Sequence, residues 1–199
     1  MREKVLNVFK DELAMIKDDG IRAFVLAVFD DVNPKFFTDP ASYTGKYHPP
    51  HDNGIGGLVR HTKVACYFGQ QFLRVYEFND QYRSDLTTAA LLLHDIGKPI
   101  TLDKMHPDFE PHEVLGYRLV LNRATSAEHM SIAEAVLYHA GPWTPNNSVR
   151  FVELAQLNQV VHLADYTAAQ KRLRFEFEEP KSWLANIGAA LRRLACAGL

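Results

Sequence analysis

The chain has 199 residues, with a hydrophobic fraction of 47% and a charged fraction of 23%, which are ordinary values for a soluble globular protein. Its net charge of −2 gives no reason to expect a nucleic-acid coat protein or a membrane-surface protein. No apolar run is long enough to span a membrane, and the two cysteines match no metal-binding pattern. The charged, amphipathic start MREKVLNVFKDEL is unlike a signal peptide, so we expect a cytoplasmic protein.

Apolar residues at helical spacing predict α-helices along most of the chain. In the first segment the apolar positions run from Val5 to Ile16, and Gly20 is expected to end it. Ser131 with Glu134 is typical of a capping box at the start of a helix. The predicted helices cover residues 5–16, 21–32, 58–78, 83–96, 111–125, 131–140, 149–173 and 180–197.

Residues 33–57 break the helical pattern, because they hold four prolines, several aromatic residues and the glycine-rich run DNGIGG. We interpret them as an ordered loop whose aromatic residues plug the end of the helical core, with stacking on a base as the alternative. These aromatic residues are Phe36, Phe37, Tyr43 and Tyr47. Strand-like alternation is confined to RFEFEE near residue 174. The sequence therefore predicts one all-α domain over residues 1–199, built from long helices around a common core.

Four histidines and two aspartates lie on the apolar faces of five predicted helices, three, four or seven residues from apolar neighbours. They are His61, His94, Asp95, His112, His139 and Asp165. A lone histidine in such a place is usually a core residue bonded to a backbone carbonyl. Six such residues would each need a separate hydrogen-bond solution, whereas metal ions would compensate all of them together.

The six side chains exceed what one tetrahedral site requires, and with an aspartate that can bridge they fit two metal ions. Histidine and aspartate without cysteine suit manganese, iron, cobalt, nickel or zinc. Two metals can hold a water between them, lower its pKa and clamp both oxygens of a phosphoryl transfer. Lys98, just past Gly97, is placed to bind the phosphate and stabilise its charge.

The motifs GGLVRHT, LLLHDIGK, HEVLG, YHAG and VVHLADYTAA follow one another along the chain. Their order over roughly residues 56–169 resembles the HD-domain metal-dependent phosphohydrolase superfamily, in its HDIG-type form with two metals. The resemblance implies an HD-domain helical bundle with flanking helices at both ends. It implies a first metal held by His61, His94, Asp95 and Asp165. It implies a second metal held by His112 and His139, with Asp95 as the bridge.

Two stretches refine this resemblance. Many relatives with two metals have consecutive histidines where this chain has Tyr138-His139, which removes one ligand or phosphate contact. The segment YHPPHDNGIGGLVRHT is similar to the segment ahead of the first ligand in a bacterial 3′-5′ exoribonuclease family. That similarity implies that His51 approaches the substrate phosphate; the alternative is a rigid turn leading into the His61 helix. The chain has no room for the nucleic-acid-binding β-barrel of those enzymes, which disfavours an RNA substrate.

The remaining histidines are expected to lie outside the metal centre. His162 comes one turn before Asp165 and could orient that ligand, but its polar sequence neighbours favour an exposed or boundary position. Three further histidines fall in loops or before a helix start, where surface positions are the default. They are His48, His106 and His129.

Together these observations predict a metal-dependent phosphohydrolase, either a phosphomonoesterase or a phosphodiesterase. A metal-activated hydroxide would cleave a phosphate ester of a nucleotide or short nucleic acid. Asp95 and Lys98 are the predicted catalytic residues, and Lys98 and His51 are predicted to bind substrate. The expected partner is a small phosphorylated molecule, with nucleic acid as the alternative and no membrane contact. Two other classes stay open, an HD-fold di-iron oxygenase and a non-catalytic nucleotide-binding regulatory module.

Overall fold

The computed structural model describes residues 2–76, 80–101, 105–143 and 154–175, and these residues form helices without any strand. The eight α-helices of this part are α1 (Arg2–Val8), α2 (Lys10–Met15), α3 (Asp19–Phe29), α4 (Gly57–Val75), α5 (Gln81–Leu93), α6 (His112–Leu121), α7 (Ala127–Tyr138) and α8 (Gln156–Ala168). Short 3-10 helices lie at Pro34–Phe37, Pro50–Asn53, Lys98–Ile100 and Gly141–Trp143. The predicted all-α class is confirmed. Three predicted stretches lie outside the described residues: the helix at 180–197, the start of the helix at 149–173, and residues 176–179 of RFEFEE.

The start of the chain differs from the predicted single helix. The backbone breaks between α1 and α2 at Phe9, which has φ −108° and ψ 29° and a completely buried ring. Gly20 does not end the segment, because it lies inside α3. Helix α3 begins at Asp19, because the carboxylate of Asp18 accepts a hydrogen bond from the backbone N–H of Ile21 at 2.9 Å and so caps the helix.

The predicted capping box at Ser131 is wrong. Helix α7 begins earlier, at Ala127, because the hydroxyl of Ser126 accepts a hydrogen bond from the backbone N–H of His129 at 3.3 Å. Ser131 lies inside the helix and donates its hydroxyl to the carbonyl of Ala127 at 3.1 Å. A serine one turn into a helix has this local alternative partner, so its spacing to Glu134 alone did not locate the cap.

Residues 33–57 form the ordered loop that the sequence predicts. Within it the backbone N–H of Ala41 donates to the carbonyl of Asp52 at 2.9 Å, and Leu58 N–H donates to Asp39 at 3.0 Å. The rings of Phe36 and Phe37 are buried and pack edge to face, which confirms that they plug the core. The two tyrosines of the loop are exposed instead, and they are Tyr43 and Tyr47. The loop is therefore fixed against the start of α4, which carries His61.

Helix α5 is the central element of the bundle. Leu91, Leu92 and Leu93 at its end are all completely buried, so apolar neighbours surround the helix there on every side. Burying each leucine contributes roughly 1.5–3 kcal/mol, which holds the end of α5 rigidly in the core. None of the helices in the described ranges combines the length and apolarity needed to cross a membrane.

The close approach of α6 to the turn after α5 depends on Gly97. A Cβ atom there would lie 2.0 Å from the carbonyl oxygen of His112 and 2.7 Å from the backbone nitrogen of Gly116. We expect Gly97→Ala to lower the free energy of unfolding by about 3 kcal/mol, because backbone atoms of α6 would have to move. Urea denaturation followed by circular dichroism measures this change.

Gly54→Ala is the matched control for this experiment. Gly54 has φ −110°, which any residue adopts, and a Cβ there would meet no atom within 4 Å. We expect this variant to stay within about 0.5 kcal/mol of the wild type. Equal free energies of unfolding for the two variants would contradict the proposed role of close packing at Gly97.

Candidate metal centre

The six predicted residues come together where five helices meet. His61 lies one turn into α4, and Asp165 lies in α8. His94 and His139 are the residues at which α5 and α7 end, and His112 is the first residue of α6. The predicted helix at 83–96 therefore ends earlier than expected, at Leu93, and Asp95 lies in the turn beyond it.

The two histidines at helix ends are held by the same local device. The Nδ1 atom of His94 donates to the carbonyl of Leu91 at 2.7 Å, and Nδ1 of His139 donates to the carbonyl of Val136 at 2.6 Å. Each bond places a proton on Nδ1 and directs Nε2 into the interior, where it can act as a metal ligand once it carries no proton. Each bond also satisfies a carbonyl near the end of a helix, where α-helical partners run out.

The first group, defined as His61, His94, Asp95 and Asp165, has ligand-type atoms that all lie within 4.8 Å of one another. The Nε2 atom of His61 lies 2.9 Å from Oδ1 of Asp165 and 3.2 Å from Nε2 of His94. Nε2 of His94 also lies 3.2 Å from Oδ2 of Asp95. Two imidazole nitrogens and two carboxylates directed at one point could hold a metal ion.

The second group, defined as Asp95, His112 and His139, lies on the other side of Asp95. Nε2 of His112 is 3.1 Å from Nε2 of His139, and each is close to Oδ1 of Asp95, at 3.3 Å and 3.6 Å. The Nδ1 atom of His112 faces the carboxylate of Glu113 at 3.1 Å, so a partner holds this ring from behind.

Asp95 connects the two groups through its two oxygens. Oδ2 faces the first group, whereas Oδ1 faces the second group. Oδ1 is buried and has no hydrogen-bond partner among the described residues. A buried carboxylate oxygen without a partner, facing two imidazole nitrogens, is suited to a cation. The donor atoms thus suit the metals that the sequence predicts. Each of the two groups that share Asp95 could hold one cation.

The electrostatics of the centre show that positively charged neighbours keep its two carboxylates ionised. Burial alone would raise the pKa of Asp95, but His94 and Lys98 hold it well below the usual range of a carboxyl group. Burial would likewise lower the pKa of His94, but Asp95 and Asp165 raise it to about 10. Without a metal, a proton on His94 therefore supplies part of the compensating charge. Metal binding would have to release that proton.

Two of the six residues are clearly more exposed than the others. The side chains of His61, His94 and Asp95 are at most 1% exposed. In contrast, Asp165 is 19% exposed, and His112 is 27% exposed. A substrate would have to reach the centre at one or both of these two side chains.

Of the two predicted phosphate-binding residues, the structure brings only Lys98 to the centre. Its ammonium lies 2.6 Å from Oδ2 of Asp95 and 3.2 Å from the carbonyl of Ala41, so it is paired in this state. The ring of His51 is 43% exposed and faces the buried carboxylate of Asp52 at 3.4 Å. In the described part of the chain no contact joins His51 to the six residues.

His48 is a residue of the centre that the sequence did not reveal. The surface position predicted for it is wrong, since it is only 8% exposed and its ring lies edge-on to His61, with centroids 4.7 Å apart. Neither of its ring nitrogens has a hydrogen-bond partner among the described residues. The aromatic-rich ordered loop just ahead of His61 was the one available signal.

The other histidines divide between buried and exposed positions. The exposed or boundary position predicted for His162 is wrong, since it is 7% exposed and its Nδ1 bonds to the carbonyl of His139 at 2.8 Å. His129 is half-buried and stacks on Phe24 with ring centroids 3.7 Å apart, so it lies only partly at the surface. His106 is exposed, as predicted. The sequence did place His162 one helical turn before Asp165, which favoured a position near the centre, but its polar sequence neighbours led to the wrong prediction.

Comparison with known proteins adds one finding. The family described as the HD domain matches residues 62–170, which is just over half of the chain. Five of the six residues lie within the matched range, and His61 immediately precedes it. No curated protein and no solved structure matches the chain.

The environment of His61 leads to a test of metal affinity. His94, His112 and His139 each have an Nδ1 partner, but Nδ1 of His61 is buried without one in the described residues. The edge-on ring of His48 is therefore a contact that holds His61 in place, in addition to the contact of its Nε2 with Asp165. We expect His48→Ala to weaken metal binding by about 10-fold, as loss of a supporting contact does elsewhere. Isothermal titration with Mn²⁺ measures this affinity.

His51→Ala is the control, because His51 lies in the same loop but is exposed. Its metal affinity should match that of the wild type. An unchanged affinity for His48→Ala, in a protein with normal circular dichroism, would show that His61 is fixed without this contact.

Proposed function

The chain belongs to the HD domain family, whose members are generally metal-dependent phosphohydrolases, and we propose that it hydrolyses a phosphate ester of a nucleotide or short nucleic acid. The observation that carries the proposal is the position of Asp95, whose two oxygens face two separate sets of imidazole nitrogens. A carboxylate shared in this way is typical of centres in which two cations act on one phosphoryl group. A small phosphorylated molecule would be the substrate. The single domain over residues 1–199 and the cytoplasmic location stay predictions.

The residues would divide between two cations. His61, His94, Asp95 and Asp165 would hold the first, and His112 and His139 would share Asp95 to hold the second. When bound, such cations lower the pKa of a shared water and neutralise charge on a phosphoryl group. Imidazole and carboxylate donors suit manganese, iron, cobalt, nickel or zinc.

The protein itself contributes orientation, exclusion of water and one positive charge. The Nδ1 bonds of His94 and His139 keep their Nε2 lone pairs directed inward. The closed inner side excludes bulk water, which strengthens electrostatic interactions within the centre. Lys98, 18% exposed and paired with Oδ2 of Asp95, would contact the phosphate through its ammonium. No observation gives His51 a comparable position, so its role at the phosphate stays a prediction.

Substitutions at three of the six residues test the proposal. Asp95→Asn should lose metal from both groups, because it removes the shared charge while keeping the shape. Asp165→Asn should lose only the first metal, and His139→Ala only the second. We expect phosphate release by Asp95→Asn to fall at least about 1,000-fold, or about 4 kcal/mol in activation free energy. Metal analysis with a malachite green phosphate assay measures both effects.

The assay would use nucleoside monophosphates, a cyclic nucleotide and a dinucleotide, each with Mn²⁺, Co²⁺, Ni²⁺ and Fe²⁺. Cleavage of the last two releases a nucleoside monophosphate and no inorganic phosphate, so chromatography of the nucleotides would follow it. Circular dichroism of each variant excludes misfolding as the cause of lost activity. Phosphate release by the metal-free wild type or by Asp95→Asn at the normal rate would refute the proposal. Oxygen uptake by the iron-loaded protein without phosphate release would favour the oxygenase, and metal-dependent nucleotide binding without turnover would favour the regulatory module.

Lys98 can be tested separately from the metal-binding residues. We expect Lys98→Ala to raise the KM for a phosphate ester about 10-fold, since a charge-assisted hydrogen bond to the phosphate is lost. Metal content should stay at the wild-type level, because no Lys98 atom is a candidate ligand. Steady-state kinetics with parallel metal analysis would show this; metal loss with an unchanged KM would assign Lys98 to holding Asp95 instead.

A further inference from the structure

Beside the metal centre, three aromatic rings form a cluster that the proposed chemistry does not use. Trp143 and Tyr166 lie nearly parallel, with an interplanar angle of 11° and ring centroids 5.6 Å apart. The ring of His162 completes the cluster, 5.8 Å from Trp143 and 6.2 Å from Tyr166. We call Trp143 and Tyr166 the aromatic platform.

The backbone is shaped to hold the platform in place. Gly141 has φ 58°, a left-handed conformation that favours glycine. A Cβ at Gly141 would lie 2.4 Å from Cε1 of His162, so the turn rests directly on that ring. His162 is in turn fixed to the carbonyl of His139 at 2.8 Å. A chain of contacts thus connects Trp143 to a residue of the second group.

The platform is exposed although both of its residues are large and aromatic. Trp143 is 66% exposed and Tyr166 is 47% exposed, whereas tryptophan is highly buried on average. Neighbouring exposed rings form an apolar patch of the kind that marks a binding surface. Tyr166 follows Asp165, which is partly exposed, and Trp143 comes four residues after His139. Both platform residues are therefore close in sequence to candidate ligands, and His162 connects them to the second group through the carbonyl of His139.

We propose that the aromatic platform binds the nucleobase of the substrate by stacking, while its phosphate lies at the metal centre. This inference rests on the proposed function and specifies its substrate class as nucleoside phosphates. Stacking suits this task because every base has a π-face and an exposed tryptophan offers a rigid surface of matching size. A sugar phosphate without a base would lack this contact.

The test compares adenosine 5′-monophosphate with ribose 5-phosphate, in the wild type and in Trp143→Ala. Isothermal titration gives affinities without requiring turnover, and kinetics give KM and kcat. We expect Trp143→Ala to weaken adenosine monophosphate binding about 10-fold or more, with ribose 5-phosphate unchanged. Trp143→Phe keeps an aromatic face and should recover most of the affinity. A dinucleotide that binds more tightly than the mononucleotide would assign the platform to the terminal base of an oligonucleotide.

Tyr82→Ala is the matched control, since Tyr82 is 54% exposed at the start of α5, about 18 Å along the helix from His94. It should leave both affinities unchanged. If Trp143→Ala lowers the affinity for both ligands equally, or for neither, the proposal that the platform binds the base is wrong. Phosphate release without base discrimination would refute stacking and leave the hydrolase standing. Base-dependent binding through Trp143 without phosphate release would support stacking and refute the hydrolase.

Discussion

The ionised carboxylate of Asp95 is the constraint on which the rest of the structure depends. It is 1% exposed, and an unpaired charge at such depth would cost several kcal/mol. Imidazole nitrogens on both sides and the ammonium of Lys98 compensate it only if five helices bring them to the same point. The buried leucines of α5 and the close contact at Gly97 keep that point in place, so the fold and the centre impose the same geometry.

Two of the candidate ligands are oriented by the helix ends at which they lie. His94 and His139 each close a helix by bonding to a carbonyl three residues back, and each directs its other nitrogen toward Asp95. One side chain thus satisfies the backbone and supplies a candidate ligand. Its orientation comes from the helix itself and does not require the cation to be present. The centre is therefore largely organised before any metal binds.

Helical spacing in the sequence was enough to predict the all-α fold and the six residues that meet, because periodicity reports which side chains share an inward face. It could not report which elements lie next to one another in space. His48 becomes part of the centre only through the folded loop, and His162 only through the end of α7. The aromatic platform likewise joins segments separated along the chain. Helix starts at Asp18 and Ser126 depended on single hydrogen bonds, which spacing does not encode.

Sharing one carboxylate has a thermodynamic consequence for occupancy. A cation that draws on the charge of Asp95 leaves less of it for a second cation, and the two would also repel each other. The two proposed binding events would therefore be linked, and the free energy by which one disfavours the other would have to be equal in both directions. The protein would fill in two steps of unequal affinity. At limiting metal concentration a half-loaded state would dominate, so the metal supply would determine how much of the protein carries a complete centre.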